Sequence, residues 1–336
     1  MRLALDAMGG DHAPGEIVRG AVAARDGLPD DEILLVGDQA AIRKELDAAG
    51  ASMERLTVVH ASQQVGMAEP PVEAMRRKPD SSMRRAMELM ARREADAVVS
   101  AGNTGAFVAA AHMVAKRLPG IRRPGISVVF PSFHGPVVVI DVGANVDCAP
   151  EHLVHFALMG ATYARDVLGR ASPRIGLLNI GTEKTKGNKL NYHAYEILQQ
   201  GPLPFAGNVE PHRLLTERPV DVVVCDGFVG NILLKAVEGG VAAVSSHLRR
   251  GIARRPSAKI GALFLRPVFA ELRETLSYER RGGAPLLGVD GIVVIAHGRS
   301  DAAAIDGAID VARRAVEGHL KERLEQGIGG WDKNGG

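Results

Sequence analysis

Several short apolar runs in this 336-residue chain end in loops of small polar residues whose types could hold an anion. The first leads into Asp6-Ala7-Met8-Gly9-Gly10-Asp11. Val98-Val99 leads into Ser100-Ala101-Gly102-Asn103-Thr104-Gly105, and Val139-Ile140 into Asp141-Val142-Gly143-Ala144-Asn145. Leu177-Leu178 leads into Asn179-Ile180-Gly181-Thr182, followed by Lys184, Lys186, Gly187 and Asn188. Val223-Val224 leads into Cys225-Asp226-Gly227-Phe228-Val229-Gly230-Asn231. Glycine lets backbone approach a ligand and take φ > 0. A helix starting after such a loop offers free N–H groups and a partial positive charge, which suits an anion. Any one of these loops is a plain turn about half the time. Their shared place at strand ends makes one common ligand site the expectation, since open parallel sheets bind ligands beyond the carboxyl ends of their strands. Arg76-Arg77-Lys78 before Ser81-Ser82, and Lys184 and Lys186, supply cations that favour phosphate.

Other chemistries find less support. No Gly-Lys-Ser/Thr phosphate loop occurs, and no run leads into a clear Gly-x-Gly-x-x-Gly, so neither a nucleotide loop nor a dinucleotide cofactor is indicated. The histidines are scattered; His152 and His155 share a helix face, but no carboxylate set accompanies them, so no metal is expected. Cys148 and Cys225 read as small buried thiols rather than nucleophiles, and a Gly-x-Ser-x-Gly elbow is missing.

The elements that must position these loops are legible as alternation. Ile33–Val36, Leu56–Val59, Ala97–Val99, Val137–Ile140, Ile175–Leu178, Val222–Val224 and Ile292–Ile295 are continuous apolar runs, as strands buried on both faces require. Between them lie helical segments such as Ser81–Glu94, Glu151–Leu168 and Ile232–His247. The pattern predicts an α/β chain with a mainly parallel sheet. Lys plus Arg is 41 against 39 Asp plus Glu, a balance that argues against a nucleic-acid binder. The two cysteines fit a reducing, cytoplasmic setting. No apolar run approaches the roughly 18 residues that span a bilayer, so membrane contact is expected to be peripheral. The segment 247–270 is the candidate: Arg249, Arg250, Arg254, Arg255, Lys259 and Arg266 flank Ile260–Leu265, with no acid in between, and Pro256 and Pro267 imply a bent helical tip. The Gly-rich stretch 326–336 is expected to fray as a flexible tail.

Taken in order, these motifs closely resemble the bacterial phosphate acyltransferase family PlsX. The resemblance is carried by Asp6–Pro14, Arg77–Met83, Ser100–Ala106, Asp141–Glu151 and Leu177–Leu190, then by Gly207–Glu210, Asp226–Asn231, Gly282–Gly288 and Ala296–Ser300. It implies an α/β/α sandwich of two lobes around a cleft, similar to phosphotransacetylase and the isocitrate/isopropylmalate dehydrogenase class, over residues 1–325. It also implies a homodimer without a cofactor. The implied reaction moves a long-chain fatty acyl group from acyl carrier protein to inorganic phosphate, and the acyl phosphate then feeds the membrane acyltransferase PlsY in phospholipid synthesis. A phosphate oxyanion needs no enzyme nucleophile, so the site need only hold the dianion and stabilise a tetrahedral oxyanion. Lys186 is expected as the central cation with Asn188 beside it, and His297 as a donor to the leaving thiolate. Asp6, Gly9, Gly10, Lys78, Ser81, Ser82, Asn103, Thr104, Asn145, Thr182, Lys184, Asp226 and Asn231 are expected to bind substrate. The rival readings are a short-chain acyl-CoA phosphotransacetylase, a dehydrogenase of the isopropylmalate class and a membrane-recruited scaffold.

Overall fold

The computed structural model describes residues 1–27, 30–130, 132, 135–269 and 282–333. Among these the strands are β1 Arg2–Asp6, β2 Glu32–Gly37, β3 Leu56–His60, β4 Ala97–Ser100, β5 Gly125–Phe130, β6 Val137–Ile140, β7 Ile175–Leu178, β8 Phe205–Val209, β9 Val222–Val224, β10 Ala284–Leu287 and β11 Ile292–Ile295. The helices are α1 Gly15–Gly27, α2 Gln39–Ala48, α3 Pro71–Arg77, α4 Ser82–Ala91, α5 Thr104–Ala110 with a π-helical turn Ala111–Ala115, and α6 Pro150–Asp166. They continue with α7 Lys189–Gln200, α8 Pro211–Thr216, α9 Gly227–Ala253, α10 Pro256–Phe264, α11 Ala302–Glu317 and α12 Leu320–Lys333.

All described strands join one sheet in the order β3-β2-β1-β4-β11-β10-β5-β6-β9-β7-β8. Alternate side chains of each strand face opposite layers. Leu3, Leu5, Val138, Ile140, Leu177, Val222 and Val294 pack on α1, α2, α6, α7, α11 and α12. Ala4, Val98, Val139, Val223 and Val293 pack on α3, α4, α5, α8 and α9. Two apolar layers on one sheet make the α/β/α sandwich.

Strand direction divides this sheet into two halves. β3, β2, β1, β4 and β11 are mutually parallel. β10 runs antiparallel to β11 and to β5, and β5 antiparallel to β6. β6, β9, β7 and β8 are again parallel to one another. Three reversals point the second parallel group opposite to the first. The loops after β1, β4 and β11 therefore leave one end of the sheet, and those after β6, β9 and β7 leave the other. By strand direction the loops expected in one cluster fall into two sets.

Two further expectations change. The stretch from Gln326 is the end of α12 rather than a frayed tail, as far as Lys333, and Ile328 is 2% exposed because it packs in the layer of α6 and α11. α9 is longer than the predicted Ile232–His247: Asp226 caps its start by accepting from Val229 N–H at 2.9 Å, and the chain stays helical until the residues before Pro256. By length and composition α9 is apolar enough to cross a membrane, which the run-length reading had excluded. Lys235 and Glu238 interrupt the run in sequence, but they pair with each other at 2.8 Å.

Candidate active site

The first set of loops is organised by a buried carboxylate. Asp6, 1% exposed, accepts from Ser100 Oγ at 2.6 Å and Met8 N–H at 3.2 Å, and also from Ser82 and the Gly9 N–H. Burial raises its pKa, against the pull of those donors. Expected as a substrate ligand, Asp6 instead has its oxygens turned into the loops it holds. Gly9 is required by close approach: a Cβ there would lie 2.6 Å from Asp6 Oδ2 and 2.7 Å from Gly102 N. Gly10 takes φ +115°, and Asp11 N–H donates to Gly298 O at 2.7 Å, joining the loops after β1 and β11. Asn103 accepts from Ala106 N–H at 3.0 Å, and its amide donates to Met67 O at 2.9 Å and Glu69 O at 3.0 Å. Both amide hydrogens are thus committed to protein. Lys78 is likewise engaged, with Glu69 at 2.5 Å and Gln64 O at 2.8 Å. Thr104 is exposed at the start of α5. Ser81 precedes α4 fully buried, and its Oγ has no hydrogen-bond partner. His297 Nδ1 accepts from Arg299 N–H at 3.1 Å, which leaves the ring hydrogen on Nε2.

A second buried carboxylate organises the other set. Asp141, 0% exposed, accepts at Oδ1 from the N–H groups of Ile126, Gly143 and Ala144, each at 3.0 Å. Its Oδ2 accepts from Asn145 N–H at 2.7 Å and the Asn145 amide at 2.9 Å. Burial again raises the pKa while the N–H donors oppose it. The Asn145 amide also donates to Pro124 O at 2.7 Å, so it too is committed. Asp226 holds the start of α9 and is 9% exposed, so an anion there would meet a carboxylate. Asn231 is exposed beside Gly143. After β7, Asn179 clamps the next loop by donating to Lys186 O at 3.0 Å and accepting from Ile180 N–H at 2.8 Å. Thr182, Lys184, Lys186 and Asn188 are exposed on that loop. Asn188 caps α7 by accepting from Asn191 N–H at 3.0 Å. Lys184 approaches Glu196 at 3.9 Å and the Tyr195 ring at 5.7 Å. Lys186 makes no ion pair among the described residues.

The structure therefore brings together Asp6, Gly9, Gly10, Ser82 and Asn103, with His297 on the adjoining loop. It separately gathers Asn145, Asp226 and Asn231, with Thr182, Lys184, Lys186 and Asn188 at the same sheet end. Among the described residues no hydrogen bond or ion pair joins the two sets. His297 and Lys186, both expected at the reacting centre, belong to different sets. Sequence reasoning missed Asp141 and Ser100 as organisers. The exposed Arg299 lies two residues from His297, and the charge of Arg123 acts on Cys148 beside the second set. Cys148 has its pKa pushed up to about 12, chiefly by burial, and Cys225 is raised well above the ordinary value for the same reason, so both thiols are protonated at neutral pH. His152 Nδ1 accepts from Ala149 N–H at 3.0 Å and His155 Nδ1 from Arg122 N–H at 3.5 Å, which gives both rings structural partners.

Comparisons with known proteins agree with this architecture. A family model described as "Fatty acid synthesis protein" matches residues 1–323. The chain is 47% identical over 326 residues to a phosphate acyltransferase of Desulfitobacterium hafniense, covering 97% of each. It is 48% identical over 335 residues to one of Trichlorobacter lovleyi, covering 98% of this chain and 96% of that one. In fold it is similar to a phosphotransacetylase from Streptococcus pyogenes, with TM-score 0.64, 17% identity and 94% of each chain covered. It is also similar to a 4-hydroxythreonine-4-phosphate dehydrogenase from Klebsiella pneumoniae, with TM-score 0.54, 15% identity, and 94% and 98% covered.

Proposed function

The chain belongs to the phosphate acyltransferase family, and on that premise we propose that the second loop set is where inorganic phosphate meets an acyl thioester. The chain is an acyltransferase of fatty acid and phospholipid synthesis, which makes acyl phosphate from acyl-[acyl carrier protein]. A phosphate oxygen attacks the thioester carbonyl, a C–O bond forms, the C–S bond breaks, and the carrier leaves as a thiolate that takes a proton. The acyl group is long-chain. The observation that carries this reading is Lys186: an exposed cation without an ion-pair partner among the described residues, on a loop clamped by Asn179, at the capped start of α7. Its ammonium balances the phosphate dianion and then the tetrahedral oxyanion, with the amides of Asn188 and Asn231 as further donors. Thr182 and Lys184 extend the same surface. Asp226 and Asn145 shape it rather than bind substrate.

A second reading puts phosphate at the first set. Two observations favour it: among the described residues Ser81 Oγ lacks a partner at the start of α4, and His297 presents Nε2–H on the loop whose Gly298 O accepts from Asp11 N–H. There Ser81, Thr104 and Gly9 would hold the anion and His297 would protonate the thiolate.

The decisive experiment measures acyl phosphate formed from long-chain acyl carrier protein plus phosphate, with Lys186→Ala and His297→Gln compared. A kcat loss confined to His297→Gln would move the site to the first set. No product from wild type would overturn the reading altogether. Turnover is expected to persist in EDTA; abolition by EDTA with rescue by added metal would refute the phosphate-only mechanism.

The same reading places the enzyme in the cytoplasm as a homodimer, handing its product to PlsY at the membrane. In support, α10 buries none of its residues, and Ile260, Leu263 and Phe264 are 64%, 68% and 79% exposed beside Arg254, Arg255 and Lys259. Within the expected 247–270 segment, Ala270 lies outside the described residues. The bend falls at Arg254-Arg255, between α9 and α10.

A further inference from the structure

We propose that the basic surface of Lys116, Arg117, Arg122 and Arg123 docks an acidic protein, namely the carrier that brings the thioester; this rests on the acyl-carrier reading above. All four side chains are exposed. None makes an ion pair among the described residues. Arg77, Arg213 and Arg313, by contrast, pair with acids one helical turn away, Glu73, Glu217 and Glu317. The patch is built on a held loop rather than on a mobile one. Leu118 N–H donates to Gly288 O at 3.0 Å, and Arg117 Nη1 donates to Arg122 O at 2.5 Å. Lys116 sits at φ 67°, turning the chain sharply out of the π-helical turn. The tethered Arg117 loses little freedom on binding, which favours a docking role.

The local field is positive. Arg117 and Arg123 add to burial in lowering the pKa of His112, and Arg123 and Arg122 act in the same sense on His152. The nearby acids are exposed Asp147 and Glu151, which opposes the arginines at His152, and Asp290, whose N–H donates to Lys116 O at 3.2 Å and whose carboxylate is taken up by Arg93 and Lys321. Exposed Met113 and Val146, 47% and 63% accessible, supply apolar contact next to the charges. A partner that answers this surface presents carboxylates around a small apolar contact.

Position ties the patch to the reaction. Pro124, directly after Arg123, accepts from the Asn145 amide at 2.7 Å, so the patch abuts the second loop set. A carrier seated there delivers its thioester arm to the sheet end that bears Lys186. Rim charges of this kind govern encounter and salt dependence more than chemistry. Their reach is about 8 Å at physiological salt.

The test titrates fluorescently labelled acyl carrier protein against the full-length wild type, Arg122→Glu/Arg123→Glu, and a control with the same charge change on α2, Arg43→Glu/Lys44→Glu. Binding by the patch variant is expected to weaken at least tenfold and to lose most of its salt dependence, with the control unchanged. Equal binding by all three overturns the docking surface, whether or not any of them makes acyl phosphate. Activity is read on two substrates, long-chain acyl carrier protein and the same acyl group on pantetheine alone. The patch variant should lose at least tenfold in kcat/KM on the first and stay within twofold on the second. Loss on both would assign the arginines to the reacting centre and overturn docking. Wild type inactive on both would overturn the functional reading, and the titration would still decide the docking. Self-association of wild type that the variant abolishes would make the patch a contact between copies, again against the proposal.

Discussion

At the scale of single residues, the division of labour runs between carboxylates that fold loops and cations that face solvent. Asp6 is spent on serine hydroxyls and loop N–H groups, Asp141 on N–H groups, and Asn103 and Asn145 on carbonyls. Among the described residues Lys186 is not spent on anything comparable. Lys186→Ala should therefore lower kcat by about 10²-fold or more, the scale for removing a group that stabilises a developing oxyanion, while the fold stays intact by circular dichroism. Cys148→Ala and Cys225→Ala should keep most activity, because burial holds both thiols protonated. A dead but folded Cys225→Ala would instead argue for a covalent thioester. The sequence could identify these loops but not the direction in which their polar groups point. A helix start attracts both a capping side chain and a ligand with the same free N–H groups, so Asn103 as cap and Asn103 as ligand look alike before folding.

At the scale of elements, seven apolar runs correspond to β2, β3, β4, β6, β7, β9 and β11. What went unread was β5, β8 and β10. β8 is an edge strand with Gly207 and Asn208 inside it, and β10 has four residues including Pro285, so neither carries the continuous apolar signal. Gly125–Phe130 and Val137–Ile140, separated by a short stretch with Pro131, Gly135 and Pro136, form a hairpin pattern that would have revealed the reversal of direction. α9 depends on a backbone contact at its first turn: a Cβ on Gly230 would overlap the carbonyl oxygen of Asp141. Gly230→Ala should cost at least about 1–3 kcal/mol, read by chemical denaturation, since backbone rather than a flexible side chain must give way. The α9–α10 tip should bind anionic vesicles reversibly, at about 1 kcal/mol per cation near the surface and less in salt. Leu263→Glu/Phe264→Glu should abolish co-sedimentation; equal, salt-insensitive binding by both proteins, or none by wild type, would refute membrane contact.

At the scale of the whole molecule, distant segments are fastened by few polar ties. Asp290 joins Arg93, after α4, at 2.8 Å and Lys321 of α12 at 2.6 Å. Burial works to raise its pKa, but the Lys321 and Arg93 contacts outweigh it, and the net direction is below the ordinary 3.8. A depressed carboxylate stabilises the fold above 3.8 and loses that contribution as pH falls through its folded value. Asp290→Asn should thus lower stability at pH 7 by up to about 1 kcal/mol, discounted for its exposure, and the gap from wild type should close in strong acid. A gap that persists undiminished there would mean packing, not charge, is what was lost.

The first half of the sheet is assembled from both ends of the chain, with β11 set beside β4 and Ala302 N–H reaching Glu16 across most of the sequence at 2.8 Å. The second half, β5 to β9, is continuous in the chain. During synthesis the amino-terminal strands emerge first yet remain unfinished, with the flank of β4 unpaired until residues 292–295 leave the ribosome. The middle of the chain has all its own strands earlier. Nascent chains arrested between β9 and β11 should therefore hold a protected centre and a protease-sensitive beginning, the reverse of ordinary amino-to-carboxyl order. The unpaired β4 flank is where a chaperone would have to act.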